Sequence, residues 1–177
     1  YYGDELGTGD WPGLRDRDSN RTPMAWTPAR NGGFSSAPEP LLVLPAITSP
    51  GYDYRVINVE VQKQLPRSLL NWHRKMLTCR RLLPALRRGS FEILESTHPS
   101  VIVYVRRSEA MTVLVAANLS SAGASLHLDL SNWEGMRTRE FLWGCDYPLA
   151  SKDWFVYLPS YGFSWWLIGD VEVQDDD

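Results

Sequence analysis

From Gly7 to about Pro66 the chain is crowded with Gly, Pro, Asp, Asn and Ser and shows almost no sustained hydrophobic period, apart from a short helical stretch at Ile57 to Gln64. Loops of that length are uncommon inside a compact domain and are usually functional. What brackets the loop limits what the first half can build. Before it stands only Tyr1-Tyr2-Gly3, which reads as the end of a parallel strand. After it, in "PRSLLNWHRKMLTCRRLL", Leu69, Leu70, His73, Met76, Leu77 and Leu83 recur at helical spacing, with Pro66 ahead of the first turn, basic residues near the end and Pro84 beyond. The spacing predicts a helix over 67 to about 83, with His73 as a hydrogen-bonded residue of its apolar face. A strand, a loop and a helix make one βα unit, and such a unit alone leaves both edges of its strand unpaired. The first half therefore cannot close a fold from its own elements, and the chain reads as truncated at its N-terminus.

From Gly89 the pattern changes to short runs, "FEILES", "VIVYVRR", "MTVLVAAN", "SLHLDL", "WFVYL" and "SWWLI", rich in β-branched and aromatic residues and separated by turn formers. They predict an all-β antiparallel sandwich over 90 to about 169, followed by an acidic tail. Trp143, Trp154, Phe155, Trp165 and Trp166 are expected in its core. Two domains result, 1–89 and 90–177.

The formal net charge of −3 gives no electrostatic footprint for nucleic acid, and no apolar run reaches the roughly 18 residues a membrane span needs. Cys79 and Cys145 lie far apart without metal-ligand spacing, so a reduced, buried pair is expected. No stretch reads as a signal peptide, and a cytoplasmic location is expected. His98 and His127 have no partner pattern suggesting a metal or a triad.

"YYGDELGTGD", "RDRDSNRTPMAW", "NGGFS", "LLVLPAITSPGYDYRVINVEVQ" and "SLLNWHRKMLTCRR", in that order, resemble the C-terminal part of the trehalose synthases, maltose glucosylmutases of the α-amylase family (glycoside hydrolase family 13). "YYGDE" and "RTPM" recur across neighbouring α-glucosidases, whereas Leu41 to Gln62 is more particular to trehalose synthases. Where the family usually has Gln before the tryptophan of "RTPMxW", this chain has Ala25. The resemblance implies a catalytic (β/α)8 TIM barrel followed by an antiparallel β-sandwich. A barrel alone needs roughly 250 residues, so this chain would hold only the last βα unit: strand 8, its long loop and helix 8.

The resemblance also implies an intact parent that interconverts maltose and trehalose by an intramolecular retaining transglucosylation. Its nucleophilic aspartate, acid/base glutamate and second aspartate would lie on strands preceding Tyr1. No catalytic residue and no metal ligand is then expected here, and the chain alone should be inactive. No cofactor is expected in this segment, calcium is left open for the parent, and so is a homo-oligomer. Two alternatives stand: an α-glucosidase or oligosaccharide hydrolase of the same family, and a non-catalytic β module that binds glycan or protein.

Asp4-Glu5 could pass for a catalytic pair, but a retaining glycosidase needs two carboxyl groups facing each other about 5 to 5.5 Å apart. Adjacent residues leaving a strand point to opposite sides, so one of the two should brace the loop instead. Arg21 of "RTPM" is the sharper candidate. The resemblance implies that it reaches the non-reducing-end glucose, and its guanidinium fork suits a carboxylate and sugar hydroxyls in fixed geometry. Arg15 to Asp18 alternate in sign and are expected to form a solvated, self-paired loop. Among the loop aromatics, Trp11, Trp26, Phe34, Tyr52 and Tyr54 are candidates for the pocket wall, with Tyr52 and Tyr54 assigned to substrate binding.

Overall fold

The structure, a computed structural model, describes residues 1–171; the acidic tail lies outside the described residues. The chain divides into two compact units, Tyr1–Leu77 and Thr78–Asp177.

The first unit holds little regular structure. Tyr1 to Gly3 form a turn, not a strand, and lead into a 3-10 turn at Asp4–Leu6. Among the described residues no strand precedes Ser90. The expected strand stub fails for a physical reason: backbone groups in a strand need a neighbouring strand, and the first 89 residues supply none. Three further 3-10 turns, at Asp16–Asn20, Arg30–Gly33 and Glu39–Leu41, carry the long loop to helix α1, Val59–Gln64.

Helix α2 runs Leu69–Leu82, close to its predicted bounds, and Ser68 opens it by accepting a hydrogen bond from the Asn71 N–H at 3.2 Å. Its predicted apolar face is only partly covered. Leu70 and Leu83 are buried, whereas Leu69 and Leu77 are exposed, and so is His73, which is not a core residue. A helical stripe is buried only where another layer meets it, and in this unit that layer is small: Leu6, Val59 and Leu70, with Met24 and Ile57 beside them. Pro84 does not end helical structure; it opens a second short helix, α3, Pro84–Arg88, at the position where its missing N–H costs nothing.

The second unit is the predicted sandwich. Strands β1 (Ser90–Leu94), β2 (Val101–Arg107), β3 (Thr112–Asn118), β4 (Ala124–Leu128), β5 (Thr138–Glu140), β6 (Asp146–Tyr147), β7 (Trp154–Leu158) and β8 (Phe163–Ile168) pair antiparallel throughout. Six form one sheet in the order β1-β2-β3-β8-β5-β6, and β4 with β7 forms the second. Alternate residues of both sheets meet in one core, with Val103, Val105, Leu114 and Trp166 facing Leu126, Leu128, Trp154 and Val156. Trp154 and Trp166 meet edge to face, ring centroids 5.2 Å apart, a geometry that adds about 0.5–1.5 kcal/mol to their burial. The other face of the larger sheet packs Val113, Val115 and Leu167 against Leu83, Ala85 and Leu86, which is why β3 is buried on both sides.

Three expectations about side chains are corrected. Phe155 is exposed, because Trp154, Val156 and Leu158 take the inward positions of β7 and leave it outside. Trp143 lies exposed in the turn between β5 and β6. Of the two cysteines expected to be buried, only Cys79 is; Cys145 is exposed in that same turn. Among the described residues no helix is long and apolar enough to cross a membrane.

Candidate functional site

With so few apolar contacts, the loop of the first unit is held by buried amides. Asn58 caps α1, its side-chain oxygen accepting from the Val61 N–H at 2.9 Å while its amide donates to the Tyr54 carbonyl at 2.9 Å. Gln62 reaches in two directions: its Nε2 donates to the Leu6 carbonyl at 2.7 Å and its Oε1 accepts from the Leu70 N–H at 2.9 Å. It thereby ties the N-terminal turn to the start of α2. Asn31, buried at a positive φ of 55°, donates to the carbonyls of Ser35 and Ala37 at 2.8 and 2.9 Å and gathers the loop that follows. None of the three was a candidate from sequence. Two of them had local signals, Asn58 as an asparagine directly before a short helical run and Asn31 as the start of an Asn-Gly-Gly turn, whereas Gln62 had none.

Within this frame the "RTPMAW" segment is fixed by its backbone. The Ala25 and Trp26 carbonyls accept from the Val59 and Glu60 N–H groups at 3.1 and 3.0 Å, and the Trp26 N–H donates to Gly32 at 2.7 Å. Ala25 is buried. A Cβ placed on Gly32, which sits at φ 68°, would lie 3.1 Å from the Ala25 Cα and 3.2 Å from its Cβ. The small residue at 25 thus fits a position where two backbone segments touch.

Arg21 is exposed and lines a cleft of about 330 Å³ with Tyr2, Pro23, Phe34, Leu41 and Leu44. That volume is at the small end of ligand pockets. Arg21 is the only charged side chain among the described residues lining it, and among them it makes no ion pair. Nearby, the Tyr1 and Tyr2 rings meet at a tilt of 31° with centroids 4.1 Å apart, and their hydroxyls share a 2.8 Å hydrogen bond that pushes the Tyr1 phenol above its usual range. An apolar cleft with one cation can hold a neutral hydroxylated ring through contacts to its flat face and hydrogen bonds to its rim.

The two tyrosines assigned with Arg21 do not line this cleft. Tyr52 is half exposed and is presented by the Ser49-Pro50-Gly51-Tyr52 turn, in which its N–H donates to the Ser49 carbonyl at 3.1 Å and Gly51 takes a φ of 84°. Proline second and a positive-φ glycine third are the requirements of a type II turn. Tyr54 is half-buried, its N–H donating to Ile47 at 2.9 Å and the Arg55 guanidinium lying 5.8 Å from its ring centroid. Asp53 accepts from both the backbone and the side chain of Arg55, and those hydrogen bonds hold its carboxyl down at about 2.

Asp4 and Glu5 do not face each other. Asp4 is exposed and pairs with the Tyr1 amino group at 3.0 Å, while Glu5 folds back to accept from the Gly3 N–H at 2.9 Å and braces the turn. Arg15 to Asp18 are exposed, as a solvated loop requires, although among the described residues they form no ion pair with one another. No three of the described His, Cys, Asp or Glu residues gather closely enough to hold a metal ion.

Residues 1–89 match the family described as Alpha amylase, catalytic domain, and residues 91–165 match Maltogenic Amylase, C-terminal domain. The chain is 41% identical over 177 residues to the trehalose synthase/amylase TreS of Mycobacterium tuberculosis (strain ATCC 25618 / H37Rv), covering 98% of this chain and 30% of that protein. It is 36% identical over 174 residues to the trehalose synthase of Thermus thermophilus, covering 98% of this chain and 18% of that one. Among solved structures it superposes on the α-glucosyl transfer enzyme XgtA with a TM-score of 0.71 at 28% identity, over 95% of this chain and 32% of that chain. Isomaltulose synthase from Erwinia rhapontici NX5 shares the fold, with a TM-score of 0.70 at 23% identity over 96% of this chain and 35% of that one. The chain thus spans about a third or less of the length of the proteins it matches. Joining the end of an α-amylase catalytic domain to the β domain that follows it, this chain belongs to the α-amylase family, glycoside hydrolase family 13.

Proposed function

We propose that this chain is the C-terminal segment of an enzyme that interconverts maltose and trehalose by intramolecular, retaining transglucosylation. The observation that carries the reading is the 36% and 41% identity to trehalose synthases of two distant bacteria, each over 98% of the chain. In this reading residues 1–89 close the catalytic domain and residues 90–177 form the β domain with its acidic tail. Arg21 contributes a guanidinium to the sugar hydroxyls, and Tyr52 and Tyr54 contribute aromatic surface. The nucleophile and the acid/base belong to the preceding part of the enzyme, so the 177-residue chain alone turns nothing over. Maltose and trehalose are the small-molecule partners, no cofactor is bound by this segment, and the enzyme works in the cytoplasm.

The test is an assay of the intact enzyme on maltose, with trehalose and free glucose quantified together. Trehalose as the main product supports the reading, and glucose as the main product assigns the protein to the hydrolases of the same family.

A further inference from the structure

Tyr52 rests on a glycine whose backbone does not need to be one. A Cβ on Gly9 would stand 2.5 Å from the Tyr52 Cγ and 2.7 and 2.8 Å from its two Cδ atoms. A point nearly equidistant from those three atoms lies above the ring face, not beside its edge. Gly9 itself is not among the residues at positive φ, so any L-residue could adopt its backbone. Close approach of the Tyr52 ring, and not torsional need, is what excludes a side chain at position 9. The ring is held from two sides, by the type II turn that carries its backbone and by the Gly9 backbone against one face. The tyrosine is still half exposed, so Gly9 backs the ring without burying the residue.

We propose that Tyr52 is a stacking platform for the flat apolar face of a pyranose ring, and that Gly9 is the positioning residue that sets the plane of that platform. An aromatic ring fixed before the ligand arrives loses little freedom on binding, which is where a backing glycine contributes affinity. The choice of a pyranose rests on the proposed maltose and trehalose chemistry.

The intact enzyme tests it through kcat and KM for maltose in four variants. Tyr52→Ala and Gly9→Ala should each raise KM about threefold to tenfold, the worth of one aromatic contact, with kcat little changed. Tyr52→Phe should match the parent, because the ring and not the hydroxyl is the platform. The double variant should be no worse than Tyr52→Ala. An unchanged KM in Tyr52→Ala overturns the platform, and multiplying effects in the double variant overturn the role of Gly9. If Gly9→Ala fails to fold, removing the ring in the double variant should restore folding; continued failure would likewise count against Gly9. A parent that hydrolyses maltose refutes the trehalose reading yet leaves the same KM comparisons to decide this one, and a parent inert toward maltose overturns both.

Discussion

Replacing Gln62 with leucine removes both ties that join the N-terminal turn to helix α2. The residue is 5% exposed, and its loss leaves the Leu6 carbonyl and the Leu70 N–H without their partners. A buried polar group left unsatisfied costs about 1–3 kcal/mol, so the pair costs about 2–6, and the added apolar surface of leucine returns part of it. A net loss of about 2–4 kcal/mol is expected, which corresponds to a fall of roughly 30-fold to 1000-fold in amide-exchange protection across α1 and the first turn of α2. Hydrogen exchange on the full chain reads this directly. Gln62→Glu sharpens the test, since its carboxylate still accepts from Leu70 but repels the Leu6 carbonyl, which only the protonated acid can hydrogen-bond. The folded pKa of that glutamate is then raised, so the variant's stability is complete below the ordinary carboxyl range and is lost as pH rises through the folded value. Unchanged protection in Gln62→Leu, or a Gln62→Glu variant indifferent to pH, would refute the assignment of Gln62 as the tie.

Leu126→Ala, at a fully buried position between the two sheets, should cost about 3–4 kcal/mol and lower the melting temperature of the β unit by about 12–32 °C, and a shift below about 3 °C in calorimetry would contradict the core described above. Asp53 should remain ionised down to about pH 2 in a carbon-detected NMR titration, and Arg55→Ala should return it toward the ordinary 3.8. Because its folded pKa is lowered, its contribution to stability is complete above the ordinary value and is lost as pH falls toward 2. Arg21→Lys in the intact enzyme should reduce kcat/KM for maltose about tenfold or more, since lysine keeps the charge and loses the planar fork; near-normal kinetics would make Arg21 an ordinary surface residue.

The β unit was legible because its strands obey a period of two. In "WFVYL" the inward set Trp154, Val156 and Leu158 can be read directly, and the same alternation places Phe155 outside. Assigning Phe155 to the core let residue type outweigh register. Helix α2 was legible from its spacing and from Pro66 ahead of it, but the burial of its face was not, because burial depends on what lies opposite, which a helical period does not encode. In the loop, family motifs singled out Arg21, Tyr52 and Tyr54, but not the turn that carries Tyr52. The buried amides of Asn31, Asn58 and Gln62 went unnoticed because polar side chains in a polar stretch carry no periodic signal. The Tyr52–Gly9 contact joins residues too far apart in sequence for any local pattern to register.

The central claim is most directly tested by incubating the intact enzyme with unlabelled maltose and carbon-13 glucose and following both by NMR. Intramolecular transfer predicts that trehalose accumulates without label, because the cleaved glucose stays in the pocket and is rejoined there. Trehalose carrying the label in proportion to free glucose, or glucose accumulating in place of trehalose, would contradict it.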